Sequence, residues 1–341
     1  LNASVSLLSI FFKLHMKDQL ITKKILNWYD FNKRPLPWRK NVSKSKKHYH
    51  TLISEFMLQQ TQVATVIPYF NKFINKVPNL KKLSSIKERE LIKLWEGLGY
   101  YSRARNLKKT SRIIIKKFSG KIPDNYEELI SLPGIGNYTA NAILAIAFNK
   151  PYIPLDGNIE RILKRYLYLK KEEEIQKENL LQKKNIFGIA SRASDYAQAL
   201  MELGALICKP NKPGCNKCPI SKNCKSYKRK DFRIIKKIKK NKDKYFILKV
   251  YKRKQKYLLI KNTKFNFLKN LFIFPMEELY NPKNFNENLN FKMSNMNMNI
   301  KILHLKDNHK FLYSHWVDRK KLSRYTLPSF TRRVVKYLEK N

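Results

Sequence analysis

Acidic residues are scarce in this chain. Asp and Glu total 25 against 72 Lys and Arg, a formal charge of +47 over 341 residues. That imbalance favours a polyanionic partner, nucleic acid first. The chain is also rich in Lys, Asn and Ile, which AT-rich codons supply, so compositional drift stands beside selection as a source of the charge. Long apolar runs are missing: none reaches the roughly 18 residues that a membrane helix needs, and no membrane partner is expected. The apolar stretch Ser4–Phe12 has no basic region before it and makes a poor signal peptide. Nothing points to secretion, so the cytoplasm is the expected compartment. Cysteine is limited to Cys208, Cys215, Cys218 and Cys224, which cluster in one short loop with none left over, and disulfides are disfavoured in that compartment. The chain opens with Leu1; Met16 reads as the natural start, with residues 1–15 as an extension.

What is present is a series of helical patterns followed by short β-rich runs. A helical tract covers Lys17–Phe31 and ends where Pro35 and Pro37 break it. Lys40–Lys47 reads as a solvated loop, and His48 and His50 as surface or interface residues without a third ligand type at metal spacing. A second tract spans Leu52–Ile67, with Pro68 at its end. Further helices are expected over Ile86–Leu94, Asn106–Phe118, Ile162–Lys170 and Ala190–Ile207. Lys228–Lys244 is dense in Lys and Arg and reads as a basic linker; contact with a polyanion backbone and simple solvation both fit it. Beyond it, Tyr245–Tyr251, Tyr257–Lys261, Leu271–Pro275, Ile300–Leu305 and Phe311–Val317 read as strands, Asn281–Asn299 as a loop, and Ser329–Glu339 as a closing helix. The class is therefore a mainly α region over 16–227, a linker over 228–244, and an α+β domain over 245–341.

Six features carry chemistry. Leu132-Pro133-Gly134-Ile135-Gly136 is a turn opening a helix, with Ala140, Ile143, Leu144 and Ala147 on one face. Two glycines two apart at such a position let backbone N–H groups converge on a phosphate; an ordinary inter-helix loop also fits. Downstream, Asp156-Gly157-Asn158 opens another helix, as a cap or as a carboxylate facing a substrate. Glu55 is an acid among apolar neighbours: held in poor solvent its carboxyl would stay protonated near neutral pH, as a general acid requires, whereas on the helix surface it would not. Gln59, Gln60 and Thr61, followed by Gln62, are uncharged donors and acceptors suited to base edges in a minor groove, or to a polar helix end. Tyr100, among Gly97, Gly99, Tyr101, Arg103 and Arg105, reads as an aromatic wedge between bases or as a packed corner. The four cysteines, spaced C-x6-C-x2-C-x5-C, read as a metal centre; four thiolates suit Zn or an iron–sulfur cluster.

Taken together, LPWR at 36–39, SEFMLQQTQVATVIPYF at 54–70, LWEGLGYYSRARNL at 94–107, LPGIGNYTANAI at 132–143, LDGNIER at 155–161 and the cysteine loop resemble the adenine DNA glycosylases of the endonuclease III superfamily. The resemblance implies a helix-hairpin-helix glycosylase domain that excises adenine mispaired with 8-oxoguanine or guanine in double-stranded DNA, acting as a monomer beside the nucleoid. It implies a [4Fe–4S] cluster on the four cysteines, Glu55 as the acid and Asp156 as the ionised carboxylate. Tyr138 and Asn158 would support Asp156, and Arg39 would hold the flipped adenine. Pro133, Gly134 and Gly136 would anchor a phosphate, while Gln60 and Tyr100 would fill the gap around the orphaned base. Endonuclease III itself uses a lysine after the hairpin; Tyr138 stands there, which implies a monofunctional enzyme. The C-terminal domain resembles Nudix hydrolases through Leu271–Pro275 but lacks their glutamate-rich helix, so the resemblance implies a reader of 8-oxoguanine through Tyr313, Ser314 and His315, where the family has Phe-Ser-His.

Overall fold

The computed structural model describes residues 20–171, 174, 177–188, 190–234, 241–280, 282–293, 296–306, 314–325 and 327–340. The extension read over 1–15 and the reader residue Tyr313 lie outside them. The chain divides into two compact units, Leu1–Ser85 with Asn106–Lys236, and Ile86–Arg105 with Lys237–Asn341.

No described residue before Lys242 lies in a strand. The helices in chain order are α1 (20–32), α2 (Lys44–Leu58), α3 (Val63–Lys76), α4 (Leu80–Ser85), α5 (Glu88–Leu94), α6 (Ser102–Lys117), α7 (Tyr126–Ile130), α8 (Asn137–Phe148), α9 (Gly157–Leu167), α10 (Lys177–Lys183), α11 (Ala193–Glu202) and α12 (Lys225–Lys228). Two of these are central. In α2 every residue from Tyr49 to Met57 is buried, and in α8 every residue from Thr139 to Ala145. The single apolar face expected for α8 therefore understates it. Ala140, Ala142, Ala145 and Ala147 let neighbours approach its backbone on several sides, and a helix apolar all round is a core helix. Leu52, Ile53, Phe56 and Met57 are wholly buried, each worth about 1.5–3 kcal/mol. A second core joins Ile21, Ile25 and Tyr29 of α1 to Ile159 and Leu163 of α9 and Leu200 of α11.

Three expectations in this unit are corrected. The tract read as one helix over Leu52–Ile67 is two: α2 stops at Leu58, Gln60 takes a left-handed φ of 57°, and α3 restarts at Val63 with Pro68 inside it. Lys40–Lys47 is not all loop, since α2 begins at Lys44. His50 is buried, its ring edge-on to Phe70, and His48 lies against Phe148 with ring centroids 4.2 Å apart. Burial pushes both imidazoles below their ordinary value.

Among the described residues the second unit holds seven strands: β1 (Lys242–Arg253), β2 (Lys256–Lys261), β3 (Phe272–Ile273), β4 (Met276–Leu279), β5 (Leu289–Met293), β6 (Met296–Leu305) and β7 (Ser314–Asp318), followed by α13 (Ser329–Leu338). The order is β3-β2-β1-β6-β5, with β4 also on β1 and β7 on β2; β1 and β6 run parallel and every other pair antiparallel. Phe246, Leu248, Ile273, Met298, Phe330 and Val334 meet in its core. The Asn-rich segment read as a loop holds β5 and the start of β6. Leu289, Phe291 and Met293 alternate with exposed Asn290 and Lys292, a period of two masked by asparagine content.

Candidate active site

Three helix ends converge in the first unit. Glu55 lies on the last turn of α2, Tyr138 on the first turn of α8, and Asp156 caps the N-terminus of α9. Glu55 is only 3% exposed, and its Oε2 has no hydrogen-bond partner among the described residues. Burial raises its carboxyl to about 7; the Tyr138 hydroxyl opposes that rise, the negative charge of Asp156 adds to it, and Arg39 opposes it. The Tyr138 hydroxyl is held well above its ordinary value, by burial and then by the two carboxylates.

Asp156 sits in a different environment. Its Oδ1 accepts the backbone N–H groups of Asn158 (2.9 Å) and Ile159 (2.7 Å), and its Oδ2 accepts Asn158 Nδ2 (2.9 Å). Burial leaves its carboxyl above its ordinary value, although those three donors and Arg161 pull it part of the way back. Donors to both oxygens, at the positive end of a helix, favour the charged form. The pair thus divides into a carboxyl with an unpartnered oxygen and a carboxylate saturated with N–H groups.

The hairpin is built by close approach. Gly134 has φ +82°, and a Cβ there would lie 2.9 Å from Asn106 Cβ and 3.0 Å from the Phe56 ring, so only glycine fits. Thr110 Oγ1 donates to the Pro133 carbonyl at 2.8 Å. Gln59 Nε2 donates to the Gly134 carbonyl (3.1 Å) and to Thr139 Oγ1 (3.2 Å), which ties α2 to the hairpin. Gln59 is therefore a brace of the turn, while Gln60 is exposed. Thr61 Oγ1 donates back to the Gln59 carbonyl at 3.4 Å. Gly136 is exposed, and a Cβ there would meet nothing.

Arg39 is set by a residue not expected from the sequence. Glu202, at the end of α11 and 1% exposed, accepts Arg34 Nε at 2.7 Å and pairs with Arg39 Nη2 at 2.9 Å. A cleft of about 470 Å³ is lined by Arg34, Trp38, Arg39, Thr51 and Gln198. The signal for Glu202 was available, since it is an acid among apolar residues on a helix, as Glu55 is.

The cysteines border one cavity with Ile162, Tyr166, Leu203, Ile207 and Ile220. Burial pushes Cys218 up to about 12 and also raises Cys215 and Cys224, with neighbouring thiolates adding to it. Among the described residues no three His, Cys, Asp or Glu side chains are grouped to hold a single metal ion. Helix α9 ties this loop to Asp156. Arg165, buried, donates to the carbonyls of Lys209 (2.7 Å), Pro210 (2.6 Å) and Phe232 (3.0 Å). Arg161 donates to the carbonyls of Cys208 (2.6 Å) and Gly204 (2.8 Å) and to Asn158 Oδ1 (2.7 Å). Gly204 lies in the π-helical turn Leu203–Ile207, where a Cβ would fall 2.4 Å from Asn158 Cβ. Beside this helix a cleft of about 960 Å³ is lined by Gly157, Arg161, Lys164, Lys230 and Arg233.

Tyr100, Ser314 and His315 belong to the second unit. Tyr100 has φ +46° and is 44% exposed. Ser314 and His315 open β7, opposite Ile260 and Leu259 of β2, and the His315 ring meets Phe272 edge-on.

Residues 53–185 match the family model described as HhH-GPD superfamily base excision DNA repair protein. The chain is similar to the adenine DNA glycosylase of Buchnera aphidicola subsp. Schizaphis graminum, 41% identical over 267 residues, covering 76% of each chain. It is 45% identical over 213 residues to that of Buchnera aphidicola subsp. Baizongia pistaciae, spanning 62% of this chain and 60% of that relative. The human adenine DNA glycosylase is 39% identical over 216 residues, 60% of this chain and 39% of that one. Among solved structures, a thermostable thymine-DNA glycosylase superposes with a TM-score of 0.55 at 27% identity, over 63% of this chain and 98% of that one. An endonuclease III trapped as a covalent intermediate with DNA shares the fold, with a TM-score of 0.52 at 22% identity over 63% of this chain and 98% of that one.

Proposed function

The chain belongs to the adenine DNA glycosylase family, and we propose that it hydrolyses the N-glycosidic bond of adenine opposite 8-oxoguanine or guanine in double-stranded DNA. The observation that carries this is the unequal carboxyl pair. Glu55 is buried, has one oxygen without a partner and holds its proton to about neutral pH; Asp156 receives three N–H donors. An acid and a carboxylate kept apart by environment are what glycosidic cleavage through an oxocarbenium ion needs.

The target adenine must first leave the stack, at a cost of roughly a few kcal/mol that is smaller at a mispair. Tyr100 and Gln60, both exposed on left-handed backbone, suit the roles of wedge and filler. The Pro133–Gly136 turn would hold a phosphate. Arg39, braced by Glu202, would orient the base. Glu55 protonates adenine N7, so that the base leaves neutral as the bond to C1′ breaks. Asp156 stabilises the cationic sugar or bonds to it transiently, and water completes the hydrolysis. Asn158 donates to Asp156 and favours its charged form, and Tyr138 would support Asp156 and the reacting sugar. Tyr138 offers no amine for a Schiff base, so strand cleavage by that route is absent and the enzyme is monofunctional.

Cys208, Cys215, Cys218 and Cys224 would hold a [4Fe–4S] cluster. They fit it: four thiols share one apolar-walled cavity, and burial disfavours the thiolate form of Cys215, Cys218 and Cys224, which a bound cation would stabilise. Bound, the cluster would supply structure, fixing the basic loop that Arg161 and Arg165 grip. The C-terminal unit, with Ser314 and His315 on β7, would read the base opposite adenine in the manner of a Nudix-like module.

The test is a single-turnover assay on duplexes carrying adenine opposite 8-oxoguanine, adenine opposite guanine, and thymine glycol, scored with and without alkali. Excision of adenine alone, with strand breaks only after alkali, is the expected result. Spontaneous scission at thymine glycol would overturn the proposal.

A further inference from the structure

Glu96 stands at the head of the loop that carries Tyr100, and its carboxylate is 12% exposed. Lys93 Nζ, one turn back on α5, lies 2.6 Å from its Oε2. Its Oε1 accepts the Leu327 backbone N–H at 3.1 Å and pairs with the Arg332 guanidinium, both from the α13 end of the same unit. Contacts run on from there in both directions. Thr331, beside Arg332, donates Oγ1 to the Phe272 carbonyl at 3.0 Å, and the Phe272 ring meets His315 edge-on at 5.1 Å. On the loop side, Arg103 donates to the carbonyls of Leu98 (3.0 Å) and Gly99 (3.1 Å), and its guanidinium lies over the Tyr100 ring at 5.6 Å. Hydrogen bonds and ring contacts, joined through the backbone at 96–99 and 331–332, thus run from His315 to Tyr100.

We propose that Glu96 is a positioning residue that couples reading of the opposite base by the C-terminal sheet to insertion of Tyr100, so that lesion identity sets how the adenine is unstacked. The proposal deepens the functional reading above and rests on it. A carboxylate held by two cations and a backbone N–H, mostly out of water, is a stiff joint, since charge-assisted hydrogen bonds are short and directional. Glu96 is far in sequence from α13, so this joint ties two segments of the unit that the chain itself does not hold together.

A double-mutant cycle measures the coupling directly. The cluster-loaded, full-length protein would be assayed for single-turnover excision opposite 8-oxoguanine and opposite guanine. A 2-aminopurine beside the target adenine would report unstacking. Glu96→Gln, which keeps the shape and removes the charge, is expected to lower the ratio of the two rates about tenfold, the scale of one lost charged hydrogen bond. It is expected to reduce the 2-aminopurine signal, and to add nothing in a Tyr100→Ala background. Arg332→Glu should behave alike. Arg319→Ala, which removes the 2.6 Å ion pair with Glu339 in the same unit, should leave the ratio unchanged. Equal rate losses on both duplexes, or losses additive with Tyr100→Ala, would overturn the proposal. Wild-type protein that unstacks 2-aminopurine in a Glu96-dependent way yet excises no adenine would overturn the functional reading and support the coupling.

Discussion

Glu55→Gln offers the sharpest check on the acid assignment, because stability and activity move in opposite directions. Glu55 is held at about 7, against an ordinary 4.5. Its protonated form is favoured by the fold, so its contribution to stability is complete below pH 4.5 and is lost as the pH rises through about 7. At 1.36 kcal/mol per pH unit, the wild type gives up about 3 kcal/mol over that window. A glutamine cannot titrate and carries no such slope. Its amide meets the same apolar surroundings, a penalty that does not depend on pH and cancels from the comparison. The stability of the variant minus that of the wild type should therefore increase by about 3 kcal/mol between pH 4.5 and pH 8. For a unit of this size that is a relative gain in Tm of roughly 6–12 °C. Thermal unfolding of both proteins across that pH range measures it. Excision by the variant should fall by at least about a hundredfold, the scale of general acid catalysis, while the wild-type rate declines above pH 7 as Glu55 loses its proton. A difference in Tm that is flat with pH would refute the argument, because it would mean that Glu55 ionises as an ordinary carboxyl.

The other predictions concern the rest of the site. Asp156→Asn should abolish excision while DNA affinity, measured by anisotropy on uncleaved duplex, stays within about threefold, since the charge acts on the sugar cation and not on the phosphates. Tyr138→Lys should yield a borohydride-trapped adduct with an adenine-containing duplex; no adduct would mean that an amine there cannot reach C1′. Arg161→Gln removes the guanidinium shared by Asn158 Oδ1 and the carbonyls of Gly204 and Cys208, so excision should drop by about tenfold or more and iron content should fall with it. Retention of full iron and full activity in that variant would show that the cysteine loop and Asp156 are independent.

Local signals were enough for some parts of this protein. The turn at Leu132–Gly136, the cap at Asp156, the four-cysteine loop and the change from helical to strand patterns near residue 245 were readable because each depends on neighbours within a few positions. The break at Gln59–Gln62 was not, since the amides there continue a helical pattern and only bracing of Gln59 against Gly134 and Thr139 makes the turn worthwhile. Strand β5 was hidden because asparagine content masked a period of two. Sequence could nominate Glu55 as an acid among apolar neighbours, but it left the surface reading open. Only packing decided that α2 is buried on all sides, that Tyr138 and Asp156 meet Glu55 there, and that Glu202 holds Arg39. Residue types and their spacing along the chain thus determined which groups were available for chemistry. Which of them would be stripped of water, and beside which charges, depended on contacts between residues far apart in sequence, and desolvation and Coulomb interactions act through space.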